Sequence, residues 1–199
     1  MDRNEGYRAA VRQCAKENSD QFINNSQIDY VAIVMEEFFD RADGVVFLVT
    51  DSLNPLLYGR KEVKRAIEKF LQKEGNSLQI IAQFNKKSAK SLSIGGDNDF
   101  LISLREHAGR ISIFRFSDNG SGNRPKWKYI ASCMVTKTVT GKYAAWYQID
   151  IKDHINTATF NAGDMGKKLF EACLEKIMSQ TVKKIKIRKV DHEAEEILI

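Results

Sequence analysis

Two spacings alternate along the first half of the chain. Tyr7, Ala10, Val11 and Cys14 recur at helical intervals and predict a short helix over 5–17. After a polar break, Ser26 is placed to cap a second helix over 27–42. Its apolar stripe is Ile28, Val31, Ala32, Met35, Phe39 and Ala42, and Gly44 ends it. VVFLVT, 45–50, is a continuous apolar run, the pattern of a strand buried on both faces. The turn signal Asn54-Pro55 leads to the clearest helix, 60–73. Val63, Ala66, Ile67, Phe70 and Leu71 form one face, and Arg60, Lys61, Lys64 and Lys69 lie off it. Gly75-Asn76 stops this helix, and LQIIAQF, 78–84, is a second buried strand. Residues 99–108 predict a short helix closed by Gly109 in a left-handed cap, and ISIFRF, 111–116, a third strand. This β-α-β-α-β order predicts an α/β fold: a mixed, mainly parallel sheet with helices on both faces.

The second half reads differently. YIASCMVT, 129–136, and YAAWYQI, 143–149, predict an antiparallel hairpin. TATF, 157–160, is a further short strand, and Asp164 is placed to cap a helix over 165–179. The tail from 181 is basic, then acidic. It is an edge strand with Lys184, Lys186 and Arg188 on one face, or it is disordered. The expected organisation is a single α/β domain over 1–180, with 1–26 as a helical extension and 181–199 as the tail.

The 199 residues, 43% hydrophobic and 29% charged, suffice for a core without disulfides or a structural metal. No window approaches the ~20 apolar residues of a membrane span, and MDRNEGYRAA has no apolar signal core. A cytoplasmic protein with no membrane contact is the expectation. Cys14, Cys133 and Cys173 are widely spaced and form no CxxC pair, so neither a disulfide framework nor a zinc site is indicated. No metal ligand set and no cofactor motif is present. The net charge of +5 permits a polyanionic partner without requiring one.

Catalytic motifs are missing. His107, His154 and His192 belong to no HExxH, and the chain has no GxSxG and no GxxxxGK[ST]. No catalytic residue is assigned. Asp51 follows a buried strand directly, at the end where open α/β sheets hold ligands, or else it braces the next turn. Lys61, Lys64 and Arg65, with Lys86 and Lys87, form the candidate nucleic-acid contact; the alternative is a solvated charged surface. Trp127, Tyr129, Tyr143, Trp146 and Tyr147 surround the hairpin, for core packing, a dimer face or base stacking.

The order of elements, and GVVFLVTDSLNPLLYGR in particular, resembles phospholipase-D-like domains of a bacterial branch that lacks the catalytic motif. Asp51, Leu53, Pro55 and Tyr58 carry the likeness at the start. YQIDIKDHINTATFNAGDMGKKLFEACLEKI resembles the close, with Asn161 in the region of the family's asparagine. The resemblance implies the fold, with Asp51 and Asn161 as crevice residues. It does not carry the activity, because no histidine here has a lysine two positions later: Gly109, Asn156 and Ala194 stand there. Three functions follow as expectations. One is a non-catalytic binding or scaffold domain acting on a protein partner or nucleic acid, as a homodimer or with a hetero-partner. The second is a nucleic-acid-binding protein using its basic groups. The third is an enzyme of another class, built from Asp51, His107 or Cys133.

Overall fold

In a computed structural model, residues 3–50, 53–82, 105–116, 132–150, 155–178, 182–186 and 197–198 are described. Helix α1 (Arg3–Glu17) buries Val11 and Ala15. Strand β1 (Ile23–Asn24) and helix α2 (Ile28–Arg41) follow. Ser26 does not cap α2: its hydroxyl lies 2.6 Å from Asn24 Oδ1, and Gln27 takes the cap position without a side-chain bond. Nor does Gly44 end the helix. The chain passes from Arg41 straight into β2 (Ala42–Thr50), and Gly44, at φ +76°, sits where the register against the antiparallel neighbour, Cys133–Thr138, shifts.

Asn54 accepts a hydrogen bond from Leu56 N, Pro55 opens α3 (Pro55–Tyr58), and α4 (Lys61–Gln72) runs back along the sheet. Its buried stripe is the predicted one: Val63, Ala66, Ile67, Phe70 and Leu71. Strand β3 (Ser77–Ala82) follows. Of the predicted helix over 99–108, residues 99–104 lie outside the described residues; the rest falls in a 3-10 turn, Arg105–Arg110, in which Gly109 has no positive φ, so there is no left-handed cap. Strand β4 (Ile111–Phe116), the hairpin β5 (Cys133–Thr138) and β6 (Tyr143–Asp150), and β7 (Ile155–Thr159) complete the middle of the chain. Helix α5 (Gly163–Met178) begins at Gly163, with Asp164 inside its first turn. The tail contributes β8 (Val182–Lys186) and β9 (Ile197–Leu198).

These strands form one sheet in the order β1-β7-β6-β5-β2-β3-β4-β8-β9. The expected parallel trio is present, β2 beside β3 beside β4. The sheet as a whole is not mainly parallel: two of the eight described pairings are parallel and six are antiparallel. The reason is that the hairpin docks through β5 onto the free side of β2, and the tail returns through β8 onto β4. The basic stretch of the tail, as β8, lies one strand in from the edge, and the tail's own β9 forms the edge.

Helices cover both faces. One core joins α1, α2, α3 and α4 to one side of the sheet, around Phe38, Phe39, Leu48, Phe70 and Ile80. The other joins α5 to the opposite side, around Phe47, Ile81, Cys133, Val135 and Phe170. Hairpin alternation follows the sequence pattern. Trp146 enters the first core, and Tyr147 packs on the second.

Candidate functional site

Strands β2, β3 and β4 end on one side of the sheet, here the upper end, and β5 and β7 begin there. Thr50, the last residue of β2, pairs in register with Ala82, Ala82 with Arg115, and Arg115 with Lys183. On the other side of β2, the Thr50 hydroxyl lies 3.4 Å from that of Ser132. Gln148 N donates to Ser132 O at 2.9 Å, Gln148 pairs with Asn156, and Asn25 N donates to Asn156 O at 3.0 Å. A polar cross-strand row, Thr50–Ser132–Gln148–Asn156–Asn25, thus closes the upper end of the helix-covered core. One step inward stand Leu48, Met134, Trp146 and Ala158, all buried. Trp146 links the two rows, donating Nε1–H to Asn25 Oδ1 at 3.0 Å. Asn156 Oδ1 is buried without a hydrogen-bond partner, a condition that costs about 1–3 kcal/mol. The row is made of hydroxyls and carboxamides. Such groups hold and orient hydrogen bonds; a hydroxyl among them would need a base to act as a nucleophile, and the row itself contains none.

The same end carries the cations of α4, because α4 starts where β2 and α3 finish. Lys61 and Arg65 are exposed and Lys64 is half-buried, on the side away from the Val63–Phe70 stripe. Their neighbours are neutralised. Arg60 pairs with Asp29 and Glu62, and Lys69 Nζ lies 2.7 Å from Asp40. Across the helical layer, Arg8 pairs with Glu36 and Arg12 with Glu37. Among the described residues, Lys61, Lys64 and Arg65 make no ion pair. Their proposed companions Lys86 and Lys87 lie outside the described residues, as does Asp51.

Beside the Arg60–Asp29 pair, Tyr30 of α2 stacks on Tyr7 of α1, with ring centroids 4.0 Å apart and planes 18° from parallel. Tyr7 OH donates to Asn24 O at 2.9 Å. Burial, then the neighbouring Tyr30 and Cys14, raises the Tyr7 hydroxyl well above its ordinary range, so it stays protonated.

Other sequence candidates scatter. Asn161 follows β7 at the lower end, its N–H donating to Thr159 Oγ1, so it stands across the sheet from the end of β2 that precedes Asp51. His107 lies in the turn before β4, also at the lower end. Cys133 is fully buried on the α5 side, and burial, then the nearby Cys173, raises its thiol far above the ordinary range. Cys173 is pushed up to about 12 by burial. Both are thiols, not thiolates, and neither meets His107. Among the described residues, no group of His, Cys, Asp and Glu is placed to hold a metal ion. No helix among them is long and apolar enough to cross a membrane.

The hairpin aromatics are largely accounted for by packing. Tyr143 tilts against Phe170 of α5, Tyr147 meets Phe22 edge to face, and Trp146 is buried; Trp127 and Tyr129 lie outside the described residues. Helix α5 covers the Tyr143 side of the hairpin. The polar row escaped sequence reading because its members are far apart in the chain, and each is an ordinary strand-end residue. Comparisons with protein-family models, with curated proteins and with solved structures give no match.

Proposed function

We propose that this chain is a non-catalytic binding domain that engages nucleic acid through the exposed cations of α4. One observation carries the reading. Among the described residues of the helical layer, Arg8, Arg12, Arg60 and Lys69 are each matched to a carboxylate, while Lys16 and Arg41 singly, and Lys61, Lys64 and Arg65 as a group within two turns of α4, make no ion pair. A cluster of unneutralised cations on a folded surface attracts polyanions and gains by releasing their counterions. Among the described residues, the polar row at the upper end adds neutral hydrogen-bonding groups.

The phospholipase-D-like resemblance is retained in this proposal as a shape without its chemistry. Helix α2, strand β2, helix α4 and closing helix α5 come in the order it implies. Of the residues that carry it, Leu53 and Tyr58 are buried and serve packing, and exposed Pro55 opens α3.

The test is fluorescence anisotropy with labelled DNA of about 20 nucleotides, single-stranded and duplex, across salt from about 50 to 200 mM. Combined Lys61→Glu, Lys64→Glu and Arg65→Glu is expected to weaken binding at least tenfold and to flatten the salt slope by about two. Absence of binding at low salt, or binding indifferent to the triple reversal, overturns the proposal.

A protein partner is the second reading, favoured by exposed Leu174 and Met178, 38% and 79% accessible, on the outer flank of α5. Self-association through this flank is tested by sedimentation at high protein concentration. A monomer there removes the homodimer.

A further inference from the structure

The upper end of the helical layer presents more than charge. Three helices contribute to it in sequence: Tyr7 from α1, Tyr30 and Asp29 from α2, Arg60 at the head of α4, then Lys61, Lys64 and Arg65. The Asp29–Arg60 ion pair joins α2 to α4, and the Tyr7–Tyr30 stack joins α1 to α2. Tyr30 follows Asp29 directly, and Lys61 follows Arg60. The aromatic pair and the cation group are therefore neighbours on either side of one salt bridge. Both tyrosines are half-buried and pack against the helix-side core.

A duplex offers phosphates to such a surface but keeps its bases stacked inside. A single strand offers phosphates and unpaired base faces together, the pairing of chemistries found here. The Tyr7 hydroxyl, raised by burial, stays protonated and does not repel the backbone, while Asp29, next to Tyr30 in α2, is paired with Arg60. Arg60 is shared between Asp29 and Glu62, and Glu68 stands four residues after Lys64 and three after Arg65, so the cationic excess of this face is small. The net field at the α4 side remains cationic.

We propose that the partner at this end is single-stranded nucleic acid, its phosphates on Lys61, Lys64 and Arg65 and one base against the Tyr7–Tyr30 stack. This rests on the polyanion reading above and narrows it to one class of strand. It also gives the tyrosine pair a role besides pinning α1 to α2.

The experiment compares the full chain with a single strand and with a duplex of the same length, about 20 nucleotides. The single strand carries 2-aminopurine, whose emission falls when it stacks and does not respond to phosphate contact alone. Expected are tighter binding of the single strand than the duplex, and loss of emission on binding. Tyr30→Leu should bind the single strand roughly 5- to 100-fold more weakly, with Tyr30→Phe close to wild type. Circular dichroism checks that both variants fold. Equal affinity for strand and duplex, or unchanged 2-aminopurine emission in the wild-type complex, overturns the inference. If the triple charge reversal still abolishes binding in that case, the polyanion reading survives alone. If neither nucleic acid binds at low salt, both fall together. The emission arm needs no variant, so a failure of Tyr30→Leu to fold leaves the test intact.

Discussion

Asn76 fastens the lower end of the helical layer to the sheet, and removing its carboxamide should cost more than any surface change. The residue is 4% exposed. Its Oδ1 accepts from Gly44 N at 2.8 Å, inside the irregular start of β2, and its Nδ2 donates to Phe70 O at 3.0 Å, in the last turn of α4. Asn76→Ala leaves one backbone N–H and one C=O without these partners. The Gly44 N–H is orphaned, at about 1–3 kcal/mol, whereas Phe70 O keeps its bond from Lys73 N and loses only a second one, at about 0.5–1.5 kcal/mol, so the loss is about 2–4 kcal/mol. For a chain of this length that lowers Tm by about 4–16 °C, a large share of a typical stability. Urea unfolding followed by circular dichroism measures it, with the denaturant slope expected to stay constant. Asn76→Asp sharpens the reasoning. It keeps the acceptor for Gly44 N but cannot donate to Phe70 O while ionised. Burial raises the carboxyl in the folded state above its unfolded value, so the missing stability returns as pH falls toward about 4, where the protonated acid donates again. An alanine variant within about 0.5 kcal/mol of wild type would refute the assignment of Asn76 as a latch.

Gly166 faces β6 so closely that an added Cβ would lie 2.7 Å from Ala162 Cβ and 2.8 Å from Tyr143 Cβ. Gly166→Leu is expected to destabilise by about 1–3 kcal/mol or more, read from Tm. The buried thiols predict an alkaline limb. Because the folded pKa of Cys133 and of Cys173 is raised above the ordinary 9.0, their contribution is intact below that value. It declines as pH rises past it, by up to about 1.4 kcal/mol per pH unit per thiol. Cys173→Ala should flatten the decline, and an unchanged slope between pH 9 and 11 would contradict it. A disulfide-exchange reagent at pH 8 should label Cys133 and Cys173 only on unfolding. Cleavage of a generic phosphodiester is expected to be absent, and turnover abolished by changing His107 would show a misread site.

The parts legible in the sequence are those with strong local contrast. The α4 stripe and the three apolar strands follow from periodicity alone, because burial on one or both faces leaves an unbroken pattern. Ser26 misled because Asn24 Oδ1 competes for its hydroxyl, and Gly44 because a left-handed glycine marks a strand irregularity as readily as a helix end. The parallel bias came from reading only neighbours in sequence. Nothing local in YIASCMVT states that it will lie against β2, or in VKKIK that it will return to β4. The site divides in the same way. Lys61, Lys64 and Arg65 stand out against an apolar helix face, whereas Asn25 and Trp146 meet across 121 positions. Asp51 and Asn161, joined by family likeness, follow strands that end on opposite sides of the sheet.

The strand order sets a timetable for synthesis. Once residue 116 has been made, β2, β3 and β4 exist with the helices that cover one face, and a central unit can begin to collapse. β1, made almost first, has no partner until β7 appears more than 130 positions later, and α5, which covers the other face, is later still. The nascent chain therefore carries an unpaired β2 side and a bare apolar face through much of its elongation. Such species are where edge-to-edge association starts. Slow translation or a holdase acting between residues 116 and 178 should raise the folded yield more than the same help given earlier.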